Sequence, residues 1–297
     1  MPGLLQSGAA LLRAPANEIA FAVRSLLRWQ RGAPAVGEAA AGVERFGWAG
    51  ARRAALLARA DELATRFDLD ALRSAPEELY GSNLARLDGL LRLAAQHDVP
   101  AGEDGVVRAV DLGCGDFHYA VALQQFLARH RSAVGAAERR VVLRGFEVDG
   151  YGIYRDGHSR VDHAREWARR ASHGDSVVRI EVADATRLTL PEQDVVGLFF
   201  PFLTAYTCLR WGAPLSRSRP RRLLSTAVRS LRAGGWLLVA NQTPAEHARL
   251  CRLLRDLPVV RIARARLRSE LCPGAERTRG QVGSIWVRQP GVPSRGA

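Results

Sequence analysis

Through the first hundred residues, apolar positions recur every three or four places. "NEIAFAVRSLLRWQ" sets Ile19, Val23, Leu26 and Leu27 at helical spacing behind Asn17, which has the residue type of an N-cap. "ARRAALLARADELATRF" repeats the pattern with Leu56, Leu57, Leu63 and Phe67. "SAPEELYGSNLARLDGLLRLAAQ" opens with a capping-box pair, Ser74 and Glu77, and carries Leu84, Leu87, Leu90 and Leu91 on one side. Three or four helices are therefore predicted ahead of residue 106. Beyond it the texture changes to short apolar runs alternating with helical stretches: "GVVRAVDL" before "YAVALQQFLARH", "RRVVLRGFEV" before "YRDGHSRVDHAREWARRASH", and "QDVVGLFF" before "PRRLLSTAVRSLRAGG". Such alternation predicts a mostly parallel sheet covered by helices, with ligands at the carboxyl ends of its strands. The pattern divides the chain into a helical region, 1–85, suited to a lid or a dimer contact, and a sheet-forming domain, 86–297.

Composition narrows this picture in three ways. A chain of 297 residues, 47% hydrophobic, can bury one large core with a smaller helical unit. The four cysteines, Cys114, Cys208, Cys251 and Cys272, stand far apart without a C-x-x-C pair, which argues against a zinc site or a disulfide framework and for a reducing cytoplasm. The N-terminus has no basic segment ahead of its short apolar stretch, and no apolar run reaches the roughly 18 to 20 residues that span a bilayer. A soluble, unprocessed protein without a membrane partner is expected.

The net charge of +13 comes entirely from arginine, as the chain has no lysine. A GC-rich coding bias accounts for that choice of cation, so distribution says more than the total. Residues 1–105 hold 12 Arg and 13 acids, whereas residues 201–268 hold 14 Arg against only Glu246 and Asp256. If clustered, the latter would attract an anionic substrate, RNA included; scattered, they are solvated helix faces.

The chemistry concentrates in "VVRAVDLGCGDFHYA", residues 106–120. Gly113 and Gly115 permit positive φ and a close backbone approach, and the following helix offers unpaired N–H groups. A dinucleotide fingerprint fits poorly, because His118 stands at the third glycine position and the next strand-ending acid, Glu147, lies 32 residues beyond Gly115.

Four segments, in order, resemble the class I S-adenosylmethionine-dependent methyltransferases over roughly residues 86–290. "VDLGCG" is similar to that family's first motif, "GFEVDG" to its second, "VADAT" to its third and "LRAGGWLLVANQ" to the helix-turn-strand before its fifth strand. The resemblance implies a Rossmann-like, seven-stranded, mostly parallel sheet with the last strand antiparallel. It also implies S-adenosyl-L-methionine as cofactor: Asp111, Gly113 and Gly115 lining its methionine part, Glu147 on the ribose hydroxyls, Val148 beside the adenine, Asp184 on the adenine amino group and Ala185 in backbone contact. The sequence departs from the family at Phe117, where a glycine is usual, and a ring there would narrow the pocket or re-route the loop.

Methyl transfer asks mainly for a nucleophile held in line, with a base only if that nucleophile carries a proton. His118 and Tyr206 are the candidate bases, each with ordinary packing as its alternative. Phe200, Phe202, Tyr206 and Trp211 suit an apolar substrate wall, and Asn241 could supply a polar contact or cap a helix. His158 and His163 are spaced i, i+5, off a shared helical face, so no metal site is expected. A small-molecule acceptor is the leading reading. RNA as acceptor, or a cofactor-binding protein without catalysis, are its alternatives.

Overall fold

The computed structural model describes residues 13–34, 52–72, 75–131, 138–271 and 280–291. Among the described residues three α-helices come first: α1 (Ala14–Leu27), α2 (Arg53–Arg66) and α3 (Glu77–Leu93). The alternating part then gives β1 (Val107–Leu112), α4 (Ala120–Arg129), β2 (Val141–Glu147), α5 (Arg160–Ala171), β3 (Val177–Val182) and β4 (Gln193–Phe199). After these come α6 (Ala205–Arg210), α7 (Pro220–Arg229), β5 (Leu231–Asn241), α8 (Pro244–Leu254), β6 (Val259–Arg266) and β7 (Val282–Arg288).

All seven strands form one sheet in the order β3-β2-β1-β4-β5-β7-β6. The pairs among β1 to β5 are parallel, and β7 runs antiparallel between β5 and β6. This is the seven-stranded, mostly parallel sheet with an antiparallel last strand that the four motifs imply. Every residue of β4 is buried, as a strand covered on both faces must be. On one face Leu84, Phe126 and Trp167 of the helices pack with Ala109, Leu143 and Val195 of the strands. On the other, Leu224 and Leu250 pack with Val110, Val196 and Leu237. Leu63 and Phe67 join the first of these cores, and α3 runs through residues 85 and 86, so α2 and α3 share their core with the sheet. Strand order reverses between β1 and β4, which places the ligand crevice of this architecture at their carboxyl ends. Among the described residues no helix is long and apolar enough to cross a membrane.

The first helix departs from its pattern. Asn17 lies inside α1 rather than capping it, and its side-chain amide donates to the carbonyls of Leu209 and Ala213. Ile19, Val23, Leu26 and Leu27 face outward, with Leu26 82% exposed. Polar contacts from Asn17 and Arg24, together with the ring of Phe21, dock the opposite side. Ser74 of the expected capping box lies outside the described residues, and Pro76 precedes the first turn of α3.

Phe117 takes the left-handed backbone of the glycine it replaces, with φ of 55°. Its ring is wholly buried and turned into the core. Space for the ring exists because β2 has Gly145 beneath it: a Cβ there would stand 3.0 Å from Phe117 Cε1 and 2.8 Å from Cys114 Sγ. Gly145→Ala should therefore destabilise the protein by about 1–3 kcal/mol through overpacking, measured as a lower denaturant midpoint at unchanged m-value. Unchanged stability would show that the ring does not need this gap.

Candidate functional site

Gly113 and Gly115 both adopt positive φ, 87° and 62°, and a Cβ at either would meet nothing within 4 Å. The loop thus turns its backbone toward open space, the geometry a closely approaching ligand needs. It is anchored from behind by Gly113 and Cys114, whose N–H groups donate to the carbonyl of Phe146 at 2.7 and 3.1 Å. Asp111, at the end of β1, is fully buried. Its Oδ2 accepts from the Tyr119 hydroxyl at 2.6 Å, while its Oδ1 has no hydrogen-bond partner. Burial pushes this carboxyl up to about 7, against the hydrogen bond from Tyr119 and the nearby charge of Arg86. Asn83, also buried, donates to the carbonyl of His118 at 3.0 Å, and its Oδ1 is likewise without a partner. Two buried acceptors around one glycine loop call for donors.

Glu147 ends β2, where it accepts from Gly115 N at 2.9 Å through Oε2 and from Asp149 N at 2.9 Å through Oε1. Arg160 approaches both Glu147 and Asp149, at 3.4 and 3.6 Å. From the opposite side Arg24 of α1 grips Asp149 with two hydrogen bonds of 3.1 and 2.9 Å. Beyond α1, Arg31 N and Gly32 N donate to the Asp162 carboxylate. The helix also reaches the segment after β4, where Ser216 donates from its N–H and hydroxyl to Glu18. It therefore bridges the segments that follow β2 and β4.

Asp184, just past β3, caps a short turn by accepting from Thr186 N at 3.0 Å, and its Oδ2 accepts from Arg217 at 3.2 Å. Burial alone would raise its carboxyl, but Thr186 and Arg217 hold it below the ordinary value. Arg217 also stacks over Phe21, 5.4 Å from its centroid. Ala185 is buried in that turn, and Val148 follows Glu147 half-buried. The strand ends thus bring Asp111, Gly113, Gly115, Glu147, Val148, Asp184 and Ala185 to one edge of the sheet.

The residues expected around a substrate are more dispersed. Phe200 lies directly after β4 with φ of 61°, a second aromatic held in left-handed backbone at the crevice. Phe202 is half-buried, while Tyr206 and Trp211 are 41% and 59% exposed. Asn241 is wholly buried beneath α8, with Oδ1 3.3 Å from His247 Nδ1, on the sheet face away from α3 and α4. His118 is better placed: its Nδ1 stands 2.7 Å from Asp116 Oδ1, and Tyr154 donates to Asp116 Oδ2 at 3.2 Å. Burial works to raise Asp116, yet the contacts with His118 and Tyr154 bring it down to about 2.

Three contributors carried no sequence signal that singled them out. Tyr119 and Asn83 act through the partners just named. Arg86 of α3 lays its guanidinium over Tyr119, Phe199 and Phe200 at 4.5, 5.1 and 5.1 Å, a cation seated on the aromatic floor of the crevice. Helical spacing also misjudged His158 and His163. Only His163 lies on α5; His158 belongs to the preceding loop, which folds back and sets the two rings 5.9 Å apart.

No family model matches the sequence, and no curated protein matches it. Among solved structures the chain is similar to the N-methyltransferase NodS from Bradyrhizobium japonicum, with 14% identity over 69% of this chain and 94% of that one and a TM-score of 0.42. Magnesium protoporphyrin IX methyltransferase from Synechocystis aligns at 13% identity over 82% of this chain and 100% of its own, with a TM-score of 0.44. TrmN from Thermus thermophilus aligns at 18% identity over 72% of this chain and 54% of its own, with a TM-score of 0.45. Values this low carry no weight for activity. The fold rests on the strand order itself.

Because Asp111 titrates near 7 in the folded protein and near 3.8 when unfolded, its contribution to stability falls as pH rises from about 4 to about 7 and is level above. Tyr119→Phe removes a donor that favours the ionised form. The substitution should cost about 1–3 kcal/mol at pH 8 and distinctly less at pH 5.5, where the carboxyl is protonated; paired denaturant titrations measure the difference. An equal loss at both pH values would mean that Tyr119 acts by packing alone.

Proposed function

We propose that the protein transfers a methyl group from S-adenosyl-L-methionine to a small-molecule acceptor in the cytoplasm. The observation that carries this reading is the pair of orphaned buried acceptors, Asp111 Oδ1 and Asn83 Oδ1, beside the open glycine loop at the switch point of the sheet. An ammonium group answers that need, and the methionine part of the cofactor has one. Glu147 retains lone pairs for the ribose hydroxyls beyond those used by Gly115 and Asp149. Asp184 and Arg217 bound the adenine side, with Phe21 of α1 as cover. When bound, S-adenosyl-L-methionine supplies a methyl group made electrophilic by its sulfonium.

The chain's own part is to position the acceptor and take up its proton. His118 suits the second task, since Asp116 engages Nδ1, fixes the ring and leaves Nε2 as the proton acceptor. Phe200, Phe202, Tyr206 and Trp211 lie after β4 along the same edge and give an acceptor apolar surface. RNA as acceptor is favoured by one feature: Arg219, Arg221, Arg222 and Arg249 line an open groove of about 660 Å³ between α7 and α8. Backbone phosphates would suit those guanidiniums. The crevice beneath α1 is covered and lined with aromatic rings, which favours the small molecule.

Calorimetry should find micromolar or tighter binding of S-adenosylmethionine and of its demethylated product. Glu147→Gln should weaken both by about 1–3 kcal/mol, the cost of disturbing a buried charged acceptor. Binding of NAD in place of either nucleotide would overturn the assignment.

His118→Asn should leave nucleotide affinity intact and lower the turnover number by about 10²- to 10⁴-fold, read with radiolabelled cofactor on a cell extract. Label in low-mass material supports the small-molecule reading, and label in RNA replaces it. Normal turnover in the variant removes His118 as base, and nucleotide binding without any transfer favours the non-catalytic alternative.

A further inference from the structure

The loop between β2 and α5 gathers a group of side chains that the methyl-transfer reading does not use. Asp156, His158 and His163 each offer one ligand atom, and those three atoms lie within 4.8 Å of one another. Asp156 Oδ2 is 3.4 Å from His158 Nδ1 and 3.0 Å from His163 Nε2. Asp156 Oδ1 is already engaged by the backbone N–H of His158 at 3.0 Å, which aims the second oxygen at both rings. Although they are so close to a carboxylate, His158 Nδ1 and His163 Nε2 are both buried atoms without a hydrogen-bond partner. The oxygen and the two nitrogens converge on one point.

We infer that Asp156, His158 and His163 bind a divalent first-row transition metal ion such as Zn²⁺, with water completing the coordination. Metal bonds of about 2.0–2.2 Å in a tetrahedral arrangement set neighbouring ligand atoms about 3.3–3.6 Å apart; the 3.4 Å separation here falls in that range and the 3.0 Å one lies a few tenths short of it. Two imidazoles and one carboxylate suit Zn²⁺, Co²⁺ or Ni²⁺ rather than Ca²⁺ or Mg²⁺, which take all-oxygen shells. The ligands are also pre-arranged by backbone. Gly157, at φ of 81°, closes a turn onto the carbonyl of Tyr154, and Tyr154 N donates to His158 O at 2.8 Å. Ser159 and Asp162 then form a capping box that starts α5 and points His163 back toward the loop.

A second triplet shows the contrast. Asp68, Glu138 and His173 are equally close together, but Arg129 forms ion pairs with both carboxylates, so that group already holds a cation. At the first site Arg31 reaches the Asp156 carbonyl, not its carboxylate. Trp29 donates to the carbonyl of Gly157 at 3.1 Å, so the segment following α1 sits on this loop. The same loop carries Tyr154, which bonds Asp116, and leads into Arg160 beside Glu147. An ion here would stiffen one wall of the crevice and the seat of its cover. Metal binding itself requires no methyl transfer.

The test uses the full chain, stripped with chelator and free of any affinity tag, at a fixed pH of about 7.5, because metal affinity depends on pH. Titration with Co²⁺ should give one saturating equivalent with visible absorption of tetrahedral intensity, and Zn²⁺ should displace it in calorimetry with micromolar or tighter affinity. The double substitution His158→Gln and His163→Gln should weaken binding on the order of 100-fold or more, and Asp156→Asn, which keeps the backbone hydrogen bond, by at least about tenfold. Unchanged denaturation midpoints of the stripped variants would show that the fold is intact. Absence of saturable binding in the wild type, or equal affinity in the folded double variant, would overturn the site.

Discussion

The carboxylate of Glu147 is the joint on which the crevice depends. It accepts from Gly115 of the first crossover loop and from Asp149 of the second, and so fixes the relative height of the two loops that flank the switch point. One oxygen serves each loop, so neither bond is made at the other's expense. Arg160 balances the charge that this arrangement buries. Without such a joint the glycines themselves would be held only by the two bonds to Phe146, with Asn83 and Tyr154 anchoring the loop further on at His118 and Asp116.

Around that joint the protein concentrates conformational cost. Phe117 and Phe200 both occupy left-handed backbone, which disfavours side chains with a Cβ and persists where surrounding contacts over-determine it. For Phe117 the compensation is a ring sealed into the core above Gly145. For Phe200 it includes the hydrogen bond of its N–H to Ala240 at 2.8 Å and the guanidinium of Arg86 over its ring. The buried carboxyl of Asp111 belongs to the same economy of strain, stable where it is because Tyr119 and Arg86 stand next to it. These features lie at the ends of β1 and β4, which are adjacent strands.

Much of this was legible in the sequence, and the boundary of legibility has a physical explanation. Strand-ending acids followed by glycines are local patterns, so Asp111, Gly113, Gly115 and Glu147 could be placed from short windows. The β1 to β5 alternation was equally plain because buried parallel strands are continuously apolar. Contacts made across the fold leave no such trace. Arg86 sits in an amphipathic helix where arginine is commonplace, and its stacking on three rings depends on tertiary placement. Phe117 suggested a narrowed pocket or a re-routed loop because burial over Gly145 required a partner 28 residues away. For α1 the apolar periodicity pointed to the wrong face, since the helix is docked by directional hydrogen bonds to Asp149, Leu209 and Ala213 that leave no trace in an apolar pattern. His158 and His163 escaped because one helical ruler was laid across a loop and a helix.

That inverted helix has a thermodynamic consequence. A segment docked chiefly by Arg24, Asn17 and Glu18, with Phe21 as its main buried ring, exposes little new apolar surface when it lifts away. Its detachment therefore carries a small heat-capacity change and is governed instead by dielectric and ionic strength acting on the Arg24–Asp149 pair. Any detachment of α1 would accordingly respond to salt more than to temperature.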